Sequence, residues 1–425
     1  MNAPEQKRGR HLVQQASLPG SGGGLFSGWR KRAAAGFFHA VLDRIDQGLE
    51  AGTIEGHLPD GSVRNLGGRG PGPHAIVHVY NWNALLRLVR GGSIGWYEGW
   101  AAGEWDSPDL VPIFDLFMRN RVPLGSVGRA SGIAHIAGRI AHWLRRNTRK
   151  HARENIEAHY DLGNDFYSAW LDSTMTYSSA VFAQLPAGEE PLEAAQRRKI
   201  DCILDRLDLK DGHSLLEIGC GWGGLAEGAL DRSRITYHGI SLSPGQTRFA
   251  EARLSKHSGW KITLTDYRDV MGQYDAIASV EMVEAVGQEY WPAYLDCIAR
   301  CLKPGGRAAL QYIRIEDDIF EQYAEGQDFI QRYIFPGGVL LSESRFRALA
   351  EARGLRWEDQ ADYGEHYAET LRLWRERFEA AVAEGRLPAG FDEKFIALWR
   401  FYLMYCEGGF RGGGINVAQV TLVKN

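Results

Sequence analysis

The chemical content of this 425-residue chain is densest in LLEIGCGWGGLAEGAL, Leu215 to Leu230, where a short apolar run leads into Gly219, Gly221, Gly223 and Gly224 and then a helix-like stretch. Glycines in that setting let backbone approach a bound ligand closely. A phosphate cradle needs Lys and then Ser or Thr directly after the glycines, and Leu225 and Ala226 stand there instead. A nicotinamide site places an acid at the end of the second strand, about 20 residues on. GISLSPGQ, Gly239 to Gln246, holds none. The next acid is Asp266 in TDYRD, placed to accept from an adenine amino group while Tyr267 covers the ring. Close backbone, an acceptor near strand ends and aromatic walls suit S-adenosylmethionine, a cation without phosphate.

These residues need elements to position them. SLLEIG (214–219), ITYHGIS (235–241), WKITLTD (260–266), YDAIASV (274–280) and RAALQYI (307–313) are short apolar runs separated by helical stretches. Such alternation predicts an α/β, Rossmann-like domain whose mostly parallel sheet is covered on both faces and binds ligand at the carboxyl ends of its strands. Upstream, FFHAVLDRIDQGL from Phe37 predicts an amphipathic helix and Pro59-Asp60-Gly61 a hairpin. AIVHVY (Ala75 to Tyr80) then predicts a strand and NALLRLVRGG a helix ending at Gly91. Together these make a small α+β domain, and a chain of this length is expected to hold two domains. The expected boundaries are a flexible basic tail over 1–35, an N-terminal domain over 36–125, a linker helix over 126–153 and the α/β domain over 154–425.

The net charge of -4 averages over an uneven chain. Arg129 to Arg153 holds seven Arg or Lys, with no acid until Glu154, while Ile133, Ile136, Ile140, Trp143 and Leu144 recur at helical spacing. A helix of that kind lies on an anionic bilayer or packs its apolar face against protein, and both readings stay open from this stretch alone. Its basic residues accompany apolar ones and not a base-flipping signature, which argues against nucleic acid as a partner. Five cysteines without a CxxC pair or clustered histidines argue against a disulfide framework and against a metal site, and fit a reducing compartment. No apolar run reaches signal-peptide or bilayer-spanning character, so the expectation is a soluble protein or one resting on a membrane surface.

The segment from about Glu154 onward resembles the cyclopropane fatty acid synthases and mycolic acid cyclopropane synthases, class I S-adenosylmethionine-dependent methyltransferases. The resemblance rests on AHYDLGNDFY (158–167), MTYSSAVF (175–182), LLEIGCGWGG, GISLSPGQ, DYRDV, EMVEAVG (281–287), FIQRYIFPGG (329–338), HYAETLRLW (366–374) and YCEGGFR (405–411), in order. GWYEGWAAGEWD (95–106) more loosely resembles the lipid-facing domain of bacterial members.

The resemblance implies a seven-stranded sheet and a cofactor site lined by Tyr177, Ser178, Glu217, Gly219, Gly221, Ser241, Gln246, Asp266, Tyr267 and Arg268. It implies methyl transfer to the cis double bond of an unsaturated phospholipid acyl chain, followed by proton loss that closes a cyclopropane. In these relatives the base is a bound bicarbonate, and the matching positions here are Ser179 (for a Cys), Glu284, Gln311 (for a His), Tyr367 and the Ile313 amide. Gln cannot carry charge or relay a proton as His does. Displacement of bicarbonate would let the cation lose a proton from a neighbouring carbon, leaving a methyl-branched unsaturated chain. Glu284 also has the plain reading of an acid in a first helical turn. Cys406 matches a cysteine once proposed as catalytic, and a structural thiol explains it equally. Tyr333, Phe335, Phe329 and Trp374 are candidate walls of an acyl pocket. A homodimer, an anionic membrane surface as partner and a cytoplasmic location at the inner face of the membrane complete the expectations.

Overall fold

The computed structural model describes residues 8–9, 12–13, 28–125 and 162–425. The basic amphipathic segment of 129–153 and the residues His159, Tyr160 and Asp161 lie outside them. The described chain forms two compact units, and their boundaries do not follow the contiguous division expected from sequence. Glu321–Pro336 and Gly390–Gly414 join the N-terminal residues in the first unit, while the rest of the chain beyond 162 makes the second.

In the first unit, α1 (Gly28–Gly48) begins eight residues inside the expected flexible tail. Part of that tail is also anchored, since the Arg8 amide donates to the Gly390 carbonyl at 3.0 Å and Leu12 is buried. β1 (Thr53–His57) and β2 (Val63–Gly67) form the expected hairpin, β3 (His74–Val79) runs parallel to β1, and β4 (Trp105–Asp106) closes a sheet of order β2-β1-β3-β4. α2 (Asn83–Ala101) is two helical pieces joined at Gly92, whose φ 56° and ψ −137° are not helical, so the first piece stops at Gly91 as expected and a second runs on to Ala101. Beyond the kink, Trp96 stacks on the buried Trp105, whose indole N–H donates to the Trp96 carbonyl at 2.8 Å. Phe329 and Tyr333 pack against Tyr97, with Phe401 alongside, so these candidate pocket walls are core rings of this unit.

The second unit holds the seven-stranded sheet. β5 (Ser214–Ile218), β6 (Thr236–Ser241), β7 (Trp260–Leu264), β8 (Tyr274–Val280) and β9 (Leu302–Ile315) are the five predicted strands, all parallel. β10 (Leu355–Asp362) and β11 (Ile415–Lys424) add the two that apolar runs did not announce, with β11 antiparallel to both neighbours. The order β10-β11-β9-β8-β5-β6-β7 makes the chain leave β5 toward β6 and return on its other side as β8. That reversal opens a crevice beyond the carboxyl ends of β5 and β8, where such sheets bind ligands. α4 (Leu192–Leu207) covers one face, its Ile200, Ile203, Leu204 and Leu207 packing with Leu215, Ala226 and Leu254.

The helix Glu393–Arg411 meets α3 (Val111–Arg119) so closely that a Cβ on Gly408 would lie 2.5 Å from Phe114 Cβ and 2.7 Å from the Val111 carbonyl oxygen. Gly408→Ala is expected to destabilise the protein by about 1–3 kcal/mol in chemical denaturation, because backbone cannot yield there. Gly36→Ala in α1, where the added methyl meets nothing within 4 Å, should be neutral or stabilise by up to about 1 kcal/mol.

Candidate functional site

At the end of β5 the chain turns through Gly219 (φ 85°) and Gly221 (φ 50°), conformations that side chains resist. The Gly219 and Cys220 amides both donate to the Ile240 carbonyl, at 3.0 and 3.1 Å, which holds the turn against the end of β6. A Cβ on Gly219 would lie 3.0 Å from Met282 Cγ, so the turn and the residues after β8 are in close contact. After β6, Ser243 caps helix Pro244–Leu254 by accepting from the Gln246 amide, and its own amide donates to Ser241 Oγ at 3.1 Å. Tyr177 sits in a nest of rings, with Tyr167, Trp170 and Trp374 centroids 5.4, 5.7 and 5.2 Å away. Such a surface is suited to a cationic sulfonium ligand.

Asp266 is engaged differently from the sequence expectation. Its carboxylate receives Arg268 Nε at 2.8 Å, Arg268 Nη2 at 2.6 Å and the Arg268 amide at 3.0 Å. The guanidinium in turn lies over the Tyr267 and Tyr290 rings. The DYR triplet is thus an internally paired corner at the end of β7, and an adenine amino group would have to share Asp266 with Arg268. Glu217 accepts from the Tyr237 hydroxyl at 2.5 Å, and burial pushes its carboxyl up to about 7. Lys199 of α4 is completely buried, donates to Ser178 Oγ at 2.6 Å, and is drawn down to about 8 by burial, against the pull of Glu281, Asp172 and Glu217.

The densest polar cluster follows β8. Glu281, the residue after Val280, has φ 47°, a left-handed conformation unusual for a residue with a side chain. Its amide donates to the Gln311 carbonyl at 2.7 Å. Its carboxylate accepts three hydrogen bonds: the Ser179 amide at 2.8 Å, Gln311 Nε2 at 2.7 Å and the Tyr367 hydroxyl at 2.8 Å. Sheet register supplies the geometry, since Val280 lies beside Gln311 and Gln311 beside Gln419. Arg206 Nε donates to Gln419 Oε1 at 3.2 Å, and Gln419 Nε2 donates to Gln311 Oε1 at 2.9 Å. Because arginine can only donate, the orientation of both amides is determined, and Gln311 must present its NH2 to Glu281.

Three residues on, Glu284 accepts from the Ile313 amide through Oε1, while its Oε2 is buried without a hydrogen-bond partner among the described residues. Both residues keep part of their surface accessible, yet burial is the largest influence on each carboxyl. Glu284 is pushed up to about 8 by burial and then by the charge of Glu281. Burial raises Glu281 as well, but its three donors and Lys199 oppose that. Both carboxyls are raised, and of the two the three donors make Glu281 the better placed to hold a charge and Glu284 to keep a proton.

The structure brings Ser179, Gln311 and Tyr367 together on Glu281 and the Ile313 amide onto Glu284, so the groups expected to hold bicarbonate bond protein carboxylates and, so arranged, do not fit that ion. Its donors are already engaged by protein carboxylates, and the Ser179 hydroxyl is turned to the Ala180 carbonyl at 3.1 Å. Cys406 belongs to the first unit, whereas the carboxylate cluster lies wholly in the second. Its thiol is held protonated by burial and by Asp328, which does not suit a nucleophile. Sequence reasoning assigned no role to Glu281, Lys199, Gln419 or Arg206. An acid directly after the fourth parallel strand was the signal available for the first of these.

Residues 147–420 match the family model described as mycolic acid cyclopropane synthetase. The chain is 41% identical over 374 residues to a tuberculostearic acid methyltransferase of Mycobacterium tuberculosis, covering 82% of this chain and 83% of the relative. It is 33% identical to the cyclopropane-fatty-acyl-phospholipid synthase of Escherichia coli, with 82% and 88% covered. A solved mycolic acid cyclopropane synthase, complexed with SAH and CTAB, superposes with a TM-score of 0.59 at 30% identity, covering 64% of this chain and 98% of its own.

Two outcomes follow for this site. Gly219→Ala, strained at φ 85° and pressed on Met282, is expected to weaken S-adenosylhomocysteine binding by about tenfold or more in calorimetry, a cost of at least about 1.4 kcal/mol. Glu284 has its folded pKa raised to about 8 from an ordinary 4.5, so the folded protein keeps a proton that the unfolded chain releases between those values. Its contribution is fully present below about pH 4.5 and is lost as pH rises toward 8. Glu284→Gln should remove a downward slope of up to about 1.4 kcal/mol per pH unit in that window, seen by comparing denaturation midpoints of the two proteins from pH 5 to 8.

Proposed function

Because the chain belongs to the mycolic acid cyclopropane synthetase family and is an S-adenosylmethionine-dependent methyltransferase, we propose that it transfers a methyl carbon to the cis double bond of unsaturated phospholipid acyl chains. Bound S-adenosylmethionine supplies an electrophilic methyl group on a sulfonium. In this reading the turn at Gly219 and Gly221 meets the cofactor through backbone, and Tyr177 and Ser178 line it from the ring-rich side. Glu217, Ser241, Gln246 and the Asp266–Tyr267–Arg268 corner bound the nucleoside end. An alkene is a weak nucleophile, so the chain's task is to hold it against the methyl group in a dry space. The basic amphipathic sequence of 129–153 suits work at an anionic membrane surface, and no helix among the described residues is long and apolar enough to cross a membrane.

The observation that carries the reading is a three-donor oxyanion seat within the unit that holds the glycine turn. Methyl addition leaves a cation on the acyl chain, and a buried anion both stabilises that charge and removes a proton. Loss of a proton from the new methyl closes a cyclopropane. A second reading, in which a chain proton leaves and a methyl-branched unsaturated chain results, is favoured by one specific observation: Glu281 takes the donors that bicarbonate would use.

Incubation with cis-unsaturated phospholipid vesicles and S-adenosylmethionine bearing a trideuterated methyl, followed by mass spectrometry of the acyl chains, tests both. Label in the acyl chain is expected. Two retained deuteriums indicate loss from the new methyl, as in ring closure, with an exocyclic methylene excluded by NMR; three indicate the branched product. Label confined to soluble acceptors, or absent from lipid, would overturn the proposal.

A further inference from the structure

We propose that the Glu281 carboxylate is the resident proton acceptor of this enzyme, taking over the work of a dissolved anion. The inference rests on the function proposed above and concerns how the same site resolves its cation. Three observations meet at this residue. Glu281 receives the Ser179 amide, Gln311 Nε2 and the Tyr367 hydroxyl at 2.7–2.8 Å, a donor set that suits an oxyanion and that the protein fills from within. Its backbone is held at φ 47°, and conformations of this kind cluster where function requires a side chain in one place. The donor chain from Arg206 through Gln419 to Gln311 has a single polarity, so the amide facing Glu281 can only donate. A site built to receive bicarbonate would leave these donors for it.

The step balances without any further reactant. The alkene π pair forms a bond to the methyl carbon as the carbon–sulfur bond breaks and its electrons return to sulfur, and the positive charge passes to the adjacent alkene carbon. Glu281 then takes a proton, from the new methyl or from a chain carbon beside the cation. The C–H pair left behind closes the ring or forms the new double bond, and the carboxyl becomes neutral. Glu284, with one amide donor, an oxygen without a partner among the described residues and a carboxyl pushed up to about 8, is less suited to this role, and Gln311, Gln419 and Arg206 act as positioning residues behind Glu281.

The test uses the full chain in buffers freed of carbon dioxide, with deuterated-methyl incorporation into vesicle lipid as one readout and binding of ¹³C-bicarbonate to the S-adenosylhomocysteine complex, followed by NMR, as the other. Glu281→Gly is the informative variant, because glycine is at ease at positive φ and the change vacates the donors without straining the backbone. The wild type is expected to bind no bicarbonate and to keep its activity within about twofold when bicarbonate is removed or added. Glu281→Gln should lose at least about 100-fold in lipid methylation while still binding S-adenosylhomocysteine, in line with removal of a general base. Glu281→Gly should be similarly impaired but bind bicarbonate, and regain activity as bicarbonate is added. Bicarbonate bound by the wild type, bicarbonate-dependent wild-type turnover, or Glu281→Gln activity within about threefold of wild type would each overturn the inference. Failure of the wild type to label lipid would sink the proposed function, and the bicarbonate-binding comparison would still decide the seat.

Discussion

Two half-buried carboxylates three residues apart at the end of one strand disfavour charge on both at once. That constraint organises the second unit. Glu281 is given three donors and a buried lysine nearby, whereas Glu284 is given one amide and an oxygen with no hydrogen-bond partner among the described residues. The asymmetry is structural before it is chemical. Its donors come from the loop after Tyr177, from β9 and from the helix Gly364–Ala383, and a shift of register in β9 would turn Gln311 to the other face of the sheet.

The same arrangement links fold to chemistry. A doubly wound sheet opens its crevice where strand order reverses, and here the glycine turn stands at the end of β5 and Glu281 at the end of β8, on the two strands flanking that point. In the proposed reaction, a methyl donor that is itself a cation and a substrate that becomes one would be served by aromatic faces and one fixed anion. A charge that diffuses in from solvent must be captured in each cycle. One that is part of the chain is always in place, and the cost is a strained residue at φ 47°.

Much of this was legible in the sequence because parallel strands buried on both faces read as apolar runs: all five were placed. β10 escaped, since LRWEDQAD has a solvent-facing edge and carries charges, and β11 went unassigned, its INVAQVTLVK broken by polar residues whose partners lie in the sheet. The joining of Glu321–Pro336 and Gly390–Gly414 to the first unit was invisible, because it depends on contacts such as Gly408 against α3 and not on local pattern. Within the site, motif positions located Ser179, Gln311, Tyr367, Glu284 and Ile313. Glu281 was quoted in EMVEAVG without a role, as its meaning arises only from three donors separated by up to 188 positions in sequence, Ser179 to Tyr367.

The division of charge between Glu281 and Glu284 can be observed directly by infrared difference spectroscopy at neutral pH, comparing the protonated-carboxyl C=O band of the wild type with those of Glu284→Gln and Glu281→Gln. The expected result is a band that disappears in Glu284→Gln and persists in Glu281→Gln, placing the proton on Glu284 and the charge on Glu281. A band that persists in Glu284→Gln and disappears in Glu281→Gln would contradict this division and leave Glu281 unable to act as the base.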